Sequence, residues 1–166
     1  MLMLDEIFVR DLRKFAREIG VGASEFESGH ARWDVYFRAM RLDSEIDQLI
    51  ALIGREPDRV MATSVVLSLL EQGPRSLRER AVGVLPVGAS QDFARARMVE
   101  LSVLEELVSG SSDAVEPNLM DNWSHWLQLR AAKLSSHRQV LEYLASAGAT
   151  KRIRREALAR AKEICD

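Results

Sequence analysis

Glycine and proline interrupt the second two-thirds of this chain at short intervals, and the segments between them have the apolar periodicity of helices. The main interruptions are Gly54, Gly73-Pro74, Pro86, Gly110 and Gly148. Between them, apolar residues recur every three or four positions, as expected of helices that pack one face against a core. Residues 82–87 are the one stretch with some strand character, but Gly83 and Pro86 within it argue against a strand. The sequence therefore predicts an all-α protein.

About eight helices with short connections are expected, and short connections make successive helices antiparallel neighbours. The predicted pairs are 57–72 with 75–85, 91–109 with 118–134, and 137–147 with 150–164. With a length of 166 residues, the chain is predicted to be a single helical domain. In that domain, residues 1–54 form an N-terminal helical cap and residues 56–164 form the helix pairs.

Apolar spacing also predicts which residues face the core. The residues expected to point inward from the first helix and from the helix over 91–109 are Leu4, Phe8, Leu12, Phe15, Ile19, Phe93, Met98, Leu101, Leu104 and Val108. A helix over 32–41 carries Trp33, Tyr36, Phe37 and Met40 on one face. The helix from Pro57 to Glu71 is apolar almost all round, Val60 included, which predicts a buried and central position.

Charge is unevenly distributed along the chain, although the net charge is only -2. Residues 1–129 carry 14 basic and 21 acidic side chains, whereas residues 130–166 carry 9 basic and 4 acidic ones. Such asymmetry points to an acidic protein or a nucleic acid as a partner of the C-terminal end. The alternative is that the cations neutralise neighbouring acidic helices and form a solvated face.

No residue pattern in the sequence indicates catalysis, a metal or a cofactor. The three histidines lack ligand spacing, and the chain has no Cys-x-x-Cys, no His-Glu-x-x-His and no phosphate-binding loop. The protein is therefore predicted not to be an enzyme and to need no cofactor. Cys165 is the only cysteine, which fits a reducing, cytoplasmic compartment. No signal peptide and no membrane-spanning run are recognised, and Arg outnumbers Lys 19 to 4, a composition typical of a GC-rich bacterial genome.

A short pattern recurs about 76 positions apart, in which an apolar residue is followed by Arg, two residues and Ala. It occurs at Arg78/Ala81 and at Arg154/Ala157. Together with Pro57 and Asp58 at the head of a first helix, it resembles the HEAT-repeat family of α-solenoids over residues 56–164. The segment 91–134 is longer than a typical repeat and residues 1–54 match none, so an irregular helical bundle stays open. The resemblance implies binding of another protein and, as in some helical relatives, of DNA.

The sharpest local signal is the basic run at the start of the last helix. Four cations there oppose the helix dipole, and a local rule broken without evident compensation marks a candidate functional site. Trp is frequent in interface hot spots, which adds a tryptophan-histidine patch, although packing along a helix-pair seam is the preferred explanation of that patch. The candidate partner-binding residues are Lys151, Arg152, Arg154, Arg155, Lys162, Trp126 and His125.

Two functions follow from these features. The first is a small cytoplasmic protein-protein interaction module, such as an adaptor, an inhibitor or immunity-type partner, or a regulator; head-to-tail self-association is compatible with it. The second is a nucleic-acid-binding protein that uses the last helix, with Arg130, Lys133 and Arg138 contributing if they share its side. The second predicts affinity that falls steeply with salt.

Overall fold

The structure is a computed structural model that describes residues 5–22, 26, 28–110 and 120–164. Secondary structure in these ranges is entirely helical, as the sequence predicts. The α-helices, numbered here in chain order, are α1 (Glu6–Glu18), α2 (Gly29–Ala39), α3 (Ile46–Ile53), α4 (Arg59–Gln72), α5 (Arg78–Gly83), α6 (Ala89–Ser109), α7 (His125–Leu134), α8 (Arg138–Ala147) and α9 (Lys151–Glu163). Two 3-10 turns, Asp43–Glu45 and Arg75–Leu77, precede α3 and α5.

The chain divides into two compact units, residues 1–98 and 99–166, and the division falls within α6. The prediction of a single domain stays a prediction. In the first unit, α4 packs against α2, α3 and α5, which agrees with its predicted central position. The core of this unit includes Phe8, Leu12 and Phe15 of α1, with the buried side chains of Leu49, Ile53, Val65, Val66, Leu69 and Leu70 from α3 and α4.

In the second unit, α9 packs against both α7 and α8. The predicted pairing of residues 137–147 with residues 150–164 is therefore observed. Its core combines Leu107 at the end of α6 with Ala131 of α7, Leu141 and Leu144 of α8, and Ile153 of α9. The backbone N–H of Ser136 donates to the carbonyl oxygen of Leu107 (3.2 Å), which fastens the turn between α7 and α8 to the end of α6.

One predicted helix is interrupted, because Met120 is helical but residues 121–124 are not. The periodicity of residues 118–134 predicts one continuous helix, but α7 begins at His125, and Trp123 precedes its N-cap. The reason is local, because the side chain of Ser124 accepts a hydrogen bond from the backbone N–H of Leu127 (3.2 Å). A serine that caps a helix takes an extended backbone and sets the first turn after itself. Residues 118 and 119 lie outside the described ranges.

Several apolar side chains predicted to face the core are exposed instead: Phe37, Val60, Phe93 and Val108. Val60 shows why, since it occupies the first turn of α4 and is 77% exposed, whereas Val65, Val66, Leu69 and Leu70 further along the helix are buried. Periodicity identifies a helix, but the width of its buried face is fixed by the neighbours it meets. Phe37 instead stacks on Trp33 (6.5 Å between ring centroids) and lies under the guanidinium of Arg41.

Two helix hairpins share a turn geometry and an arginine contact, one hairpin joining α4 to α5 and the other joining α8 to α9. Gly73 and Gly148 follow the first helix of each hairpin, and both have an extended backbone. Each glycine N–H donates to the carbonyl oxygen four residues back, on Leu69 and Leu144. The arginine of the recurring pattern then reaches back to the same helix end: Arg78 Nε donates to the carbonyl of Leu70 (3.2 Å) and Arg154 Nη1 to that of Gly148.

Candidate interaction surface

The last helix, α9, begins at Lys151 because Thr150 caps it, its side chain accepting a hydrogen bond from the backbone N–H of Ile153 (3.2 Å). Ile153 and Ala157 are buried against the rest of the unit, and Ala161 is half-buried. These three residues recur at intervals of four, which places them on one side of the helix. The opposite side of α9 therefore faces solvent.

Four cations of α9 occupy its exposed surface: Lys151, Arg152, Arg155 and Lys162. None of the four forms a hydrogen bond or an ion pair with another residue in the described ranges. At 100° per residue, Lys151, Arg155 and Lys162 lie within about 40° of one another around the helix, and Arg152 lies beside them. The structure thus brings four of the predicted site residues together on one side of one helix.

Arg154 differs from these four. Its side chain is half-buried and its guanidinium donates to the carbonyl oxygen of Gly148, at the end of the preceding helix. Carbonyls at a helix C-terminus lack partners within the helix, and a cation satisfies them well. The contact gives Arg154 a role inside the fold, in closing the hairpin between α8 and α9.

A leucine lies among the exposed cations. Leu158 is 52% exposed, and its position on α9 is one turn after Arg155 and one turn before Lys162. The number of charges in a basic segment gives no indication of an apolar residue such as Leu158 within it. The signal that identifies it is helical spacing, since residues 151, 155, 158 and 162 recur at the three- and four-residue intervals of a single stripe. The name basic stripe is used below for Lys151, Arg155, Leu158 and Lys162, with Arg152 at its edge.

The carboxylates of α9 lie off the line through residues 151, 155 and 162, although Glu156 is one turn after Arg152 at the edge of the stripe. Glu156 is half-buried, and Glu163 forms an ion pair with Arg160 (3.1 Å). Around the helix, both are about 80° or more from the nearest residue of the line through residues 151, 155 and 162. On α1, Arg10 and Lys14 have acidic partners, Asp11 (3.2 Å) and Glu18 (3.8 Å), whereas Arg13 and Arg17 have none among the described residues. The stripe therefore combines exposed positive charge with an apolar centre and no ion pair within the described residues.

The other two predicted contact residues are on α7. His125 is exposed in the first position of α7, and Trp126 beside it is half-buried. The guanidinium carbon of Arg130 lies 5.5 Å from the centroid of the Trp126 ring. A cation over an indole face is a stabilising contact within one helix, so Trp126 already serves in packing the surface of α7.

The first unit contains a buried polar cluster that the sequence pattern does not predict. The carboxylate of Glu56 accepts hydrogen bonds from Arg32 Nε (3.0 Å), from the hydroxyl of Tyr36 (2.7 Å) and from the backbone N–H of Asp58 (3.0 Å). Arg32 also donates to the carbonyl oxygen of Phe26 (2.8 Å). The side chains of Arg32 and Glu56 are 3% and 0% exposed, so no ligand in solvent reaches this ion pair.

Burial, and secondarily the adjoining Glu56 carboxylate, raises the pKa of Tyr36 well above its usual range. The phenol therefore stays protonated and donates to Glu56. Each polar group of the cluster has a partner, which is what burial of charge requires. The cluster ties α2 to the segment that leads into α4, and it has a structural role.

A small depression of about 190 Å³ lies between α1 and α3, lined by Asp11, Lys14, Gln48, Ala51, Leu52 and Arg55. Sites for small molecules usually measure roughly 300–1,000 Å³. Arg55 is bound to Asp11 across the depression (2.8 Å), and this hydrogen bond lowers the pKa of the Asp11 carboxyl. Of the charged groups that line the depression, Arg55 and Asp11 are thus engaged with each other, and Lys14 forms an ion pair with Glu18 (3.8 Å).

No group of three or more potential metal-ligating side chains occurs within the part of the chain that the structure describes. Over the same residues, no helix combines the length and the apolar character that a membrane span requires. Comparison of the chain with protein-family models, with curated proteins and with solved structures found no match. The assignment of function therefore rests on the chain's own geometry.

Proposed function

We propose that this chain is a cytoplasmic protein-protein interaction module, an adaptor, inhibitor or regulatory partner, that contacts its target through the basic stripe of α9. The observation that carries the proposal is the set of four exposed cations, Lys151, Arg152, Arg155 and Lys162, which have no partner among the described residues. A protein surface that supplies carboxylates at these positions gives each cation the partner it lacks.

The position of the cations at the helix start supports a role in binding. Lys151 and Arg152 occupy the first turn of α9, where the helix dipole is positive and an acidic residue is favoured by about 0.3–1 kcal/mol. Residues that cost stability at exposed positions are more readily explained by recognition than by folding. Arg154, in the same turn, has its own contact with Gly148 and is left out of the proposed surface.

The two matching hairpins also support an interaction module. In both, a glycine ends the first helix and an arginine of the second helix hydrogen-bonds to that end. Repeated helix pairs of this kind stack in α-solenoids and present helices as binding surfaces. This geometry accords with the resemblance of residues 56–164 to the HEAT-repeat family, which stays part of the proposal.

A capture experiment with tagged full-length protein in lysate of the source cells tests the proposal, with and without nuclease. Three forms are compared: the wild type, the variant with Lys151, Arg155 and Lys162 each changed to Glu, and a control with Arg13, Arg17 and Arg95 changed to Glu. The control residues are exposed cations without a partner in the described ranges, and the net charge changes equally. The expected result is a protein that survives nuclease, is retained by the control and is lost from the stripe variant.

Nucleic acid is the second candidate, because the same four cations are free to contact phosphates. It replaces the first proposal if the captured material is nucleic acid, is lost with nuclease, and is released between about 50 and 200 mM salt. Equal capture of the same protein by the stripe variant and the wild type contradicts a role for α9. Light scattering of the purified chain tests self-association. The partner is a second copy of the chain if the wild type and the control associate and the stripe variant is monomeric.

A further inference from the structure

The arrangement of charge and apolar surface along α9 restricts the kind of protein that fits it. Lys151, Arg155, Leu158 and Lys162 form one stripe that spans three turns, about 16 Å along the axis. Leu158 is the apolar centre of the stripe, with 52% of its surface exposed, and the cations flank it on both sides. A complementary surface therefore has an apolar residue at its centre and carboxylates about one turn away in each direction.

From this pattern we infer that the basic stripe accepts an acidic amphipathic helix of another protein. A second helix aligned with α9 repeats its side chains at the same axial intervals, so carboxylates at i and i+7 or i+8 around an apolar residue meet Arg155 and Lys162. Contact between the apolar residue of the partner and Leu158 buries Leu158. It also excludes water from the surrounding ion pairs, and the lower local dielectric strengthens their attraction. The inference rests on the proposed function and specifies the partner.

Nucleic acid fits the stripe less well than an acidic helix does. Phosphates engage the cations but leave Leu158 without an apolar partner, and residues 151–163 contain no aromatic side chain on which a base stacks. A membrane surface also fits poorly. An interfacial helix inserts a broad apolar face into lipid, whereas the apolar residues of α9 other than Leu158 lie mostly against the rest of its own unit, as Ile153 and Ala157 do.

Labelled synthetic peptides and the full-length chain test this inference by fluorescence anisotropy. The first peptide is a helix-forming sequence with glutamates one turn before and one turn after a central leucine. The second is identical except that serine replaces the leucine. A single-stranded oligonucleotide and vesicles with anionic headgroups are measured alongside, at about 50 and 200 mM salt.

The expected result is binding of the leucine peptide that is weakened about tenfold or more by Leu158→Ser, as loss of a buried leucine contact implies. Leu158→Ser removes the difference between the two peptides, because they differ in the group that contacts Leu158. Lys151→Glu, Arg155→Glu and Lys162→Glu together abolish binding, whereas the control with Arg13, Arg17 and Arg95 changed to Glu retains it. Leu158→Ala repeats the measurement with a strong helix former, and circular dichroism verifies that the variants fold.

Several outcomes overturn the inference. They are equal binding of the two peptides by the wild type, no binding of the leucine peptide at millimolar concentration, and tighter binding of the oligonucleotide or the vesicles. A different result contradicts the proposed function: capture of the partner protein that is unchanged by the charge reversals in α9. A captured protein that requires the cations but not Leu158 leaves the proposed function standing and removes the acidic helix as its partner.

Discussion

The buried ion pair between Arg32 and Glu56 is the residue-scale feature with the largest expected effect on stability. Glu56 accepts three hydrogen bonds, from Arg32, Tyr36 and the backbone of Asp58. Removal of one partner of a buried pair leaves the other charge without compensation in a medium of low polarity. The sequence gives little sign of this, because Glu56 precedes Pro57 in a segment that reads as an ordinary helix start.

We expect Glu56→Gln to destabilise the protein by about 3–5 kcal/mol, since it removes the carboxylate that pairs with the buried Arg32 guanidinium. Urea denaturation measures the change as a lower midpoint with an unchanged slope. Glu79→Gln is the matched control, because Glu79 is exposed on α5 and surface substitutions usually stay within about 0.5 kcal/mol. Equal midpoints for Glu56→Gln and the wild type contradict a stabilising role for the cluster.

Asp11 gives a pH-dependent prediction at the same scale. The hydrogen bond from Arg55, more than any other contact, lowers the pKa of Asp11 below its ordinary value. A carboxyl with a depressed pKa in the folded state contributes stability above its unfolded pKa, and this contribution is lost as the pH falls through the folded pKa. Arg55→Gln is therefore expected to raise the pKa of Asp11 and to make stability less sensitive to acid below about pH 4.

An NMR titration of the Asp11 side-chain carbon measures the pKa directly in both proteins. Arg13→Gln provides the control, because Arg13 is an exposed cation of the same helix and makes no hydrogen bond to Asp11 in the structure. The prediction is contradicted if Asp11 titrates at the same pH in the Arg55→Gln variant and in the wild type.

At the scale of elements, the hairpin glycines show that glycine is needed for a close approach and not for a left-handed backbone. Gly148 has φ -53° and ψ 139°, a conformation open to every residue. A Cβ added there lies 2.5 Å from the carbonyl oxygen of Leu144 and 2.7 Å from Cγ2 of Ile153. At Gly73, the corresponding Cβ lies 2.7 Å from the carbonyl oxygen of Leu69. In each hairpin, a carbonyl oxygen of the last turn of the first helix therefore leaves no space for a Cβ atom at the glycine.

Gly148→Ala is expected to destabilise the protein by about 1–3 kcal/mol, the usual cost of forcing an extra group into a packed site. Gly83→Ala, at the end of α5, is the control, because its Cβ meets nothing within 4 Å and alanine is the better helix former by up to about 1 kcal/mol. Thermal unfolding distinguishes the two variants. A Gly148→Ala protein as stable as the Gly83→Ala protein contradicts the steric explanation.

Helix boundaries and inward faces differ in how well the sequence predicts them. The capping residues Ser124 and Thr150 act within three residues of the atoms they bind, so such signals are readable from sequence, although at Ser124 the apolar periodicity concealed the cap. Inward faces depend on more distant neighbours. Phe8, Leu12 and Phe15 are buried as predicted, whereas Phe37 and Phe93 are exposed, because no element within the described ranges covers them.

At the scale of the whole molecule, the C-terminal unit is not basic, although the last 37 residues of the sequence are. The C-terminal unit, residues 99–166, contains nine basic residues and ten acidic ones, six of the latter between positions 100 and 121. Its net charge is therefore close to zero. What distinguishes α9 is the local arrangement of its cations, not the overall charge of the region, and this is why the proposed tests reverse charges in matched sets.

The sequence by itself determined that the protein is helical, where most helices begin and end, and that the last helix is rich in cations. These properties follow from residue periodicity and from contacts within a few positions along the chain. The tertiary structure alone decided that Arg154 closes a hairpin while Lys151, Arg155 and Lys162 face solvent around Leu158. It also decided that Glu56 is buried against Arg32, 24 positions away. Such roles depend on tertiary contacts between residues far apart in the sequence, and the same pattern of helices is compatible with many different sets of contacts.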